Sequence, residues 1–499
     1  MVEGAFFFLM TTPLLCETVT GRSMAELLAG RDAATTGDMV ELRLDGLRDL
    51  DVAGALHGRR VPVVVTCRPA WEGGLFSGTE EERCAILSRA FELGAEFVDV
   101  EWRACQGGSG GSAHTGVGEL VRCNPARAVV SSHDFAGVPA DLEDRVLAMR
   151  ATGAGTVKVA VTAGRLTDTL RLKNIARGGP TVAVGMGDVG VPTRLLAGRY
   201  GSRWTYAGDA VAPGQIPARR MVEDYGFRRV GDSTQIFGVV STRALSSLSP
   251  VMHNAAFAAA GVDAAYVPLT VHEFDDFITF ADEMGIDGVS VTIPFKLDAL
   301  RVAASRDDVS QRVGAANTLR RRGHGWDASN TDVEGFLAPL GTVLPGPMKG
   351  LRAAVLGGGG SARAVVAGLT ALGVTVTVHA RRTEQSREIA RTFGVDAGRF
   401  PPEPGSWDLL VNCTPLGSAG RRHESPMPVA ALDGRLVYDL TYGPGESALV
   451  RDARSAGCAT LDGLPMLVAQ AERQFEWWTG RAPVPGVMEA AARRSNQCG

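Results

Sequence analysis

Apolar, β-branched runs recur every few tens of residues through the first half of the chain: LLCETV, MVELRLD, VPVVVTC, EFVDVEW, ARAVVSS, TVKVAV, PTVAVGM and RWTYA. Helical patterns such as SMAELLAGRD, EERCAILSRAFELG, DLEDRVLAMRATG and LTDTLRLKNIARG fall between them. A parallel strand covered on both faces reads as a continuous apolar run, and alternation of such runs with helices builds an α/β sheet. Eight consecutive strand–helix units suffice to close the sheet on itself, so residues 12–228 are expected to form a (β/α)8 barrel. One crossover, CQGGSGGSAHTGVG, is of low complexity and reads as a mobile loop. Residues 1–11 hold an apolar stretch too short for a membrane span and lack a basic leader, so they read as a disordered N-terminus.

The segment from about 216 to 234 is polar, charged and poorly periodic, and reads as a connector. Strands and helices alternate again over residues 235–345, which are expected to form a separate domain. A third unit, residues 346–480, opens with LRAAVLGGGGSARAVVAGLTALGVTVTVHARR. Its strand, glycine turn, helix and strand have the order of a dinucleotide-binding βαβ unit, and Gly357, Gly359 and Ala362 fit G-x-G-x-x-A within the run Gly357, Gly358, Gly359, Gly360, Ser361, Ala362. Glycines there let the backbone approach a pyrophosphate at a helix N-terminus. Ala380, Arg381 and Arg382 end the second strand where an acidic residue would bind the ribose of NAD; arginines there favour the 2′-phosphate of NADP. Residues 481–499 are left as a C-terminal segment.

A formal charge of −4 and a pI near 6.1 provide no basic field for nucleic acid, so small molecules are the expected partners. The cysteines are scattered without a C-x-x-C or other metal-ligand spacing, which points to reduced thiols, a cytoplasmic setting and no metal. Only four of the 51 basic residues are lysines: Lys158, Lys173, Lys296 and Lys349. Arginine stays protonated, whereas an amine can attack a carbonyl or shuttle protons. Lys173, on a helix face, and Lys349, in a turn, read as surface charges. Lys158 lies inside an apolar strand, and Lys296 follows one, VSVTIP, at the end where α/β folds gather reactive groups.

In a barrel those groups collect at strand C-termini. Glu41 and Arg43 end the second strand, Arg68 and Glu72 follow the third, and His133 ends the fifth. Lys158 lies on the sixth, Arg194 follows the seventh, and Gln215 lies beyond the eighth. An amine with a histidine suits imine chemistry on a ketone, and the arginines suit a carboxylate. The i, i+4 spacing of Arg68 and Glu72 equally fits a surface ion pair. In the second half, Lys296 and Asp332 make a pair that can protonate a ketone as hydride arrives from a nicotinamide. Ser247, Ser249 and Asn317 offer groups for a carboxylate or hydroxyl.

The motifs ELRLD, TCRPAWEGG, SSHDF, VKVA, MGDVGVPTR and APGQ resemble type I 3-dehydroquinate dehydratase over residues 12 to 228. That resemblance implies dehydration of 3-dehydroquinate to 3-dehydroshikimate through an imine on Lys158. His133 would serve as acid and base, and Glu72 would orient it. Glu41, Arg43, Arg68, Arg194 and Gln215 would form the pocket. Val211 stands where the family often has serine. Over residues 235 to about 480, SSLSPVMHN, VTIPFK, GAANT, SNTD, GGGGSAR, NCTPLG, YDLTY and DGLPMLVAQ resemble shikimate dehydrogenase. This implies NADPH-dependent reduction of 3-dehydroshikimate to shikimate by Lys296 and Asp332. Ser247, Ser249, Thr292, Asn317, Tyr442 and Gln470 would face the substrate, and Asn412, Thr414, Gly463 and Met466 would lie around the cofactor. Two departures from that family's pattern are Ala380 in place of asparagine and a fourth glycine in place of the first alanine of GAGGAA. Together the halves imply a bifunctional shikimate-pathway enzyme, monomeric or homodimeric. The alternatives are a quinate dehydrogenase and a non-catalytic sensor of quinate.

Overall fold

The computed structural model describes residues 12–106, 115–209 and 212–498. The expectations for residues 1–11, most of the low-complexity crossover and Val211 lie outside them. The chain forms two compact units, one built from the chain up to Thr234 with Val267–Met284, the other from Gln235–Tyr266 and the chain from Gly285 onward.

In the first unit, β1 (Leu14–Val19), β2 (Met39–Arg43), β3 (Val63–Thr66), β4 (Phe97–Glu101), β5 (Ala128–Asp134), β6 (Thr156–Thr162), β7 (Thr181–Met186) and β8 (Trp204–Ala207) make one sheet in the order β7-β6-β5-β4-β3-β2-β1-β8. Every pairing is parallel. The expected barrel is therefore present, but nearly closed rather than closed by a continuous ladder. Across the β7–β8 seam, Arg203 N–H donates to the Thr181 carbonyl (2.9 Å) and Ala183 N–H donates to Ser202 Oγ (3.1 Å).

Successive side chains on a strand point to opposite faces, and this parity decides what enters the barrel. Val40 and Leu42, Val63 and Val65, Val98 and Val100, and Val157, Val159 and Val161 join the apolar layer that also holds helix residues such as Leu87, Met149 and Leu172. The alternate set includes Met39, Val64, Phe97, Val129 and Ala160, which pack with Trp204 and Tyr206. On that second parity also lie Glu41, Arg43, Asp99, Glu101, Ser131, His133 and Lys158. Seen this way, the polar residues are the upper layers of the barrel interior. On the opposite side of the strand wall, the helix Asp168–Arg177 begins near Asp276, whose carboxylate accepts from Leu166 N–H (2.7 Å) and Thr167 N–H (3.1 Å).

Two further sheets follow along the chain. β9 (Gln235–Ser241), β10 (Ala264–Thr270), β11 (Ile286–Val291), β12 (Ser305–Arg306), β13 (Thr318–Arg322) and β14 (Gly325–Ser329) form a mixed sheet in the order β10-β9-β11-β13-β14-β12. β15 (Arg352–Leu356), β16 (Thr375–His379), β17 (Asp396–Gly398), β18 (Leu409–Asn412), β19 (Leu436–Asp439) and β20 (Ala459–Leu461) form a parallel sheet in the order β17-β16-β15-β18-β19-β20. That is the doubly wound dinucleotide-binding order, with its switch point between β15 and β18, where a ligand crevice forms. The helix Val487–Cys498 contributes Met488 and Ala492 to a core with Met252, Phe257 and Phe475, so most of the C-terminal segment is an integral element.

Arg83, on the helix Glu80–Glu92, is fully buried and bridges Glu101 and Glu80. Removing one partner of a buried pair leaves the other charge uncompensated. Arg83→Met should therefore cost the barrel ~3 kcal/mol in urea unfolding; a loss under ~1 kcal/mol would show that Arg68 alone satisfies Glu101.

Candidate active sites

In the barrel, Lys158 Nζ lies 3.0 Å from Asp99 Oδ2 and 3.4 Å from Glu41 Oε1, and 4.2 Å from the centre of the Tyr206 ring. The buried amine is thus paired rather than isolated. Glu41 is held by hydroxyls, accepting from Thr66 Oγ1 (2.8 Å) and Thr18 Oγ1 (3.1 Å). Burial alone would raise the Glu41 carboxyl, but the Lys158 ammonium and the Arg43 guanidinium outweigh it and hold it below its ordinary value. Asp99 is likewise held well below the carboxylate range: burial opposes ionisation, but Arg68 and then Lys158 override it.

Arg68 is not the surface partner of Glu72 that its i, i+4 spacing allowed. It is buried and pairs with Asp99 (2.9 Å) and Glu101 (2.7 Å), while donating to Ser131 Oγ (2.8 Å). Glu72 turns instead to His133, accepting its backbone N–H at 2.8 Å with Nδ1 at 3.4 Å. The turn carrying Glu72 folds tightly over Arg68: a Cβ on Gly74 would lie 2.0 Å from the Arg68 carbonyl oxygen, so only glycine fits there. Arg43 is gripped by Asp45 through two 2.9 Å bonds, and Asp45 also accepts from Leu75 N–H.

Arg194 is 1% exposed, donates only to the Tyr206 (3.1 Å) and Pro213 (3.5 Å) carbonyls, and its Nε has no partner among the described residues. Burial pushes its pKa down to about 10. A buried cation without a carboxylate is the natural counter-ion for an anionic ligand. Lys158, His133, Glu41, Glu72, Arg43, Arg68, Arg194 and Gln215 all line one cavity of about 110 Å³.

The reductive candidates divide between two cavities. Lys296 begins the helix Lys296–Val302, and Asp332 begins the helix Asp332–Val343. Lys296 Nζ lies 2.5 Å from Asp332 Oδ2. Asn317 Nδ2 donates to Asp332 Oδ1 (2.9 Å) and to Thr331 Oγ1 (2.9 Å). These three residues line a cavity of about 130 Å³ with Ser247, Ser249, Thr292, Tyr442 and Gln470; Gly463 and Met466 lie here too. The neighbouring cavity, about 800 Å³, is lined by Gly357, Gly358, Gly359 and Gly360, by Arg381 and Arg382, and by Thr414. Lys296 borders both cavities. Asn412 lines neither; it is buried, donating to the Leu416 carbonyl and Asp439 and accepting from Thr414. Lys173 donates to the Glu283 carbonyl and Lys349 is exposed.

The larger cavity fits a dinucleotide. The helix Gly360–Ala371 starts at its wall, and a Cβ on Gly359 would face open space, so a phosphate group can approach the helix N-terminus. Gly358, the departure from GAGGAA, is explained locally. A Cβ there would lie 2.5 Å from Cβ of Gln385, so the glutamine occupies the space an alanine would need.

Sequence reading missed Asp99, Ser131, Thr18, Thr66 and Tyr206 in the barrel and Ser290, Ser361 and Gln474 in the second unit, all lining or bonded to the site groups. Parity was the available signal for Asp99: in EFVDVEW the valines face the helices, so the acids face inward. Gln474 lies four residues beyond Gln470 on one helix, hence on the same face.

His133 is half-buried beside cations. Burial first, then Arg68 and Lys158, push its pKa down to about 4 against the opposing pull of Glu72. The unfolded imidazole titrates near 6.5. As pH falls from about 6.5 to about 4 the unfolded chain takes up a proton that the fold refuses, so stability tied to His133 is lost in that window and is complete above it. An NMR titration should put the His133 midpoint near 4, and Glu72→Gln should lower it further; a midpoint near 6.5 would contradict the described environment.

The type I 3-dehydroquinase family matches residues 15–232, the shikimate dehydrogenase substrate binding domain residues 239–319, and the shikimate 5′-dehydrogenase C-terminal domain residues 463–493. The chain is 31% identical over 522 residues to the chloroplastic bifunctional 3-dehydroquinate dehydratase/shikimate dehydrogenase of Arabidopsis thaliana, covering 97% of this chain and 85% of that protein. It is 40% identical over 272 residues, 52% of this chain and 98% of the relative, to the shikimate dehydrogenase (NADP(+)) of Methanocella arvoryzae. A crystal structure of a shikimate dehydrogenase in complex with NADP+ superposes with a TM-score of 0.51 at 29% identity, covering 54% of this chain and 98% of that one.

Proposed function

The chain belongs to the family of bifunctional 3-dehydroquinate dehydratase/shikimate dehydrogenases, and from that premise we propose which of its groups carry each reaction. It is a shikimate-pathway enzyme, with a lyase of the type I 3-dehydroquinase family and an NADP-dependent shikimate dehydrogenase in one chain. Residues 12–228 are assigned to the dehydratase, 235–345 to the substrate domain of the dehydrogenase and 346–480 to its NADP domain.

In the dehydratase, the Lys158 amine attacks the ketone of 3-dehydroquinate and, with loss of water, forms an imine. The proton that the amine sheds has carboxylate acceptors in Asp99 and Glu41, at 3.0 and 3.4 Å. His133, neutral well below pH 7, removes the proton next to the imine carbon, for which the imine is the electron sink. The resulting imidazolium then protonates the departing hydroxyl β to that carbon. Glu72 fixes the ring and the approach of its Nδ1. Hydrolysis of the imine releases 3-dehydroshikimate and restores the amine. Arg194 takes the substrate carboxylate, and Arg43, Arg68 and Gln215 close the pocket. The pairing of Lys158 with Asp99 and Glu41 inside the barrel is the observation that carries this assignment.

In the dehydrogenase, NADPH supplies the hydride when it is bound. The glycine turn would hold its pyrophosphate, and Arg381 and Arg382 its 2′-phosphate. Lys296 donates a proton to the carbonyl oxygen, and Asp332, 2.5 Å away, keeps the ammonium aimed. Ser247 and Ser249 bind the carboxylate, while Thr292, Asn317, Tyr442 and Gln470 contact the ring substituents. Asn412 supports the Thr414 loop from behind, and Gly463 and Met466 close the nicotinamide end. Among the described residues no helix is long and apolar enough to cross a membrane. A cytoplasmic monomer or homodimer acting on small molecules completes the proposal.

Borohydride added during turnover should leave the reduced substrate attached to the peptide containing Lys158, and Lys158→Ala should remove that adduct. Labelling elsewhere, or none with an active enzyme, would overturn the imine. Replacing both Arg381 and Arg382 with serine should raise the KM for NADPH about tenfold or more while leaving that for NADH within about twofold, because only the 2′-phosphate contacts are lost. Equal changes for the two cofactors would contradict the assignment.

A further inference from the structure

A directional chain of hydrogen bonds runs along the wall of the smaller cavity in the second unit. The Tyr266 phenol, whose ring stacks on His253 at 4.5 Å and 10°, donates to Ser290 Oγ (2.6 Å). Ser290 donates to Gln474 Oε1 (2.7 Å), Gln474 Nε2 donates to Thr318 Oγ1 (3.0 Å), and Thr318 donates to Asn317 Oδ1 (2.8 Å). Asn317 Nδ2 then donates to Asp332 Oδ1 (2.9 Å), whose other oxygen receives Lys296. Tyr266, Gln474 and Thr318 are fully buried.

Each link donates in the same sense, toward the carboxylate. The sense is fixed by chemistry: the Gln474 oxygen is taken by Ser290, so its NH2 must face Thr318, and the one Thr318 proton must then go to Asn317. At the far end Ser290 lines the same cavity as Ser247 and Ser249. One chain of bonds therefore runs from the wall beside the serine pair to the lysine–aspartate end.

We propose that Thr318 and Gln474 are positioning residues for the reduction, holding Asn317 and Asp332 in register with the serine pair. The proposal rests on the dehydrogenase reading given above. Neither residue supplies a proton or hydride; they act through Asn317, which is held from its other side by Thr331 N–H on Oδ1 at 2.8 Å. That second bond makes the effect of losing Thr318 partial. Valine fills the volume of threonine but can neither accept from Gln474 nor donate to Asn317, whereas serine can do both.

The test uses the full chain with 3-dehydroshikimate and NADPH, and shikimate binding without cofactor as a second readout. Thr318→Val should lower kcat for reduction about tenfold, a loss of the size that misplacing reacting groups produces, and weaken shikimate binding by a smaller factor. Thr318→Ser should return both to within about threefold of wild type. Because the two residues act in one chain, Thr318→Val combined with Gln474→Met should be little worse than the more damaging single change. NADP+ affinity should match wild type in every variant, which reports an intact fold. Wild-type kcat in Thr318→Val, failure of serine to restore it, or multiplicative losses in the double variant would overturn the proposal. Loss of NADP+ binding in parallel with kcat would also overturn it, as the residues would then be structural. A wild-type chain that binds NADPH but does not reduce 3-dehydroshikimate would overturn the dehydrogenase reading itself.

Discussion

A lysine ammonium buried against carboxylate is the interaction on which both sites depend. Burying an unpaired charge is costly enough that the group would neutralise or the segment would open to water. In the barrel, Asp99 and Glu41 make it tolerable to keep Lys158 on a strand whose neighbours are valines, and Arg68, Ser131, Thr18 and Thr66 in turn hold those two carboxylates. In the second unit a single aspartate does the same for Lys296, and its remaining oxygen is held by Asn317. The two solutions differ in a way that suits the chemistry proposed for each. Lys158 must become a nucleophile and needs acceptors for its proton; Lys296 must give up a proton and needs only to be aimed.

The surrounding architecture follows from where those charges can be placed. In the barrel they occupy the inward parity of β2, β4, β5 and β6 above an apolar plug of Cys16, Met39, Val64, Phe97 and Trp204, so the charged layer is buried yet reachable from one end. In the second unit Lys296 borders both the substrate-sized and the dinucleotide-sized cavity, so one side chain connects the two. Glycines 357–360 bring the start of a helix to the wall of the larger cavity without side chains in the way.

The barrel and the dinucleotide-binding βαβ unit were legible because fully buried parallel strands are continuous apolar runs and glycine turns mark the dinucleotide unit. The lysines were legible because so few occur. What sequence spacing could not decide was partnership. Arg68 and Glu72 stand one helical turn apart in number, yet they sit on a strand end and a 3-10 turn, and each bonds to a residue more than thirty positions away. The barrel itself was legible, but not its seam, where Arg203 N–H, just before β8, donates to the Thr181 carbonyl, Ala183 N–H donates to Ser202 Oγ, and Val182 and Val184 of β7 pack in one cluster with Trp204 and Tyr206 of β8. The Thr318 to Gln474 link joins a strand to a helix about 150 residues later, a contact that no local pattern encodes.

The central claim is that each half of the chain owes one chemical step to one lysine. The direct test supplies purified protein with 3-dehydroquinate and NADPH and quantifies 3-dehydroshikimate, shikimate and oxidised cofactor for wild type, Lys158→Ala and Lys296→Ala. The account predicts shikimate from wild type, unchanged 3-dehydroquinate from Lys158→Ala, and accumulation of 3-dehydroshikimate without cofactor oxidation from Lys296→Ala. Dehydration persisting without Lys158, or reduction at the wild-type rate without Lys296, would contradict it.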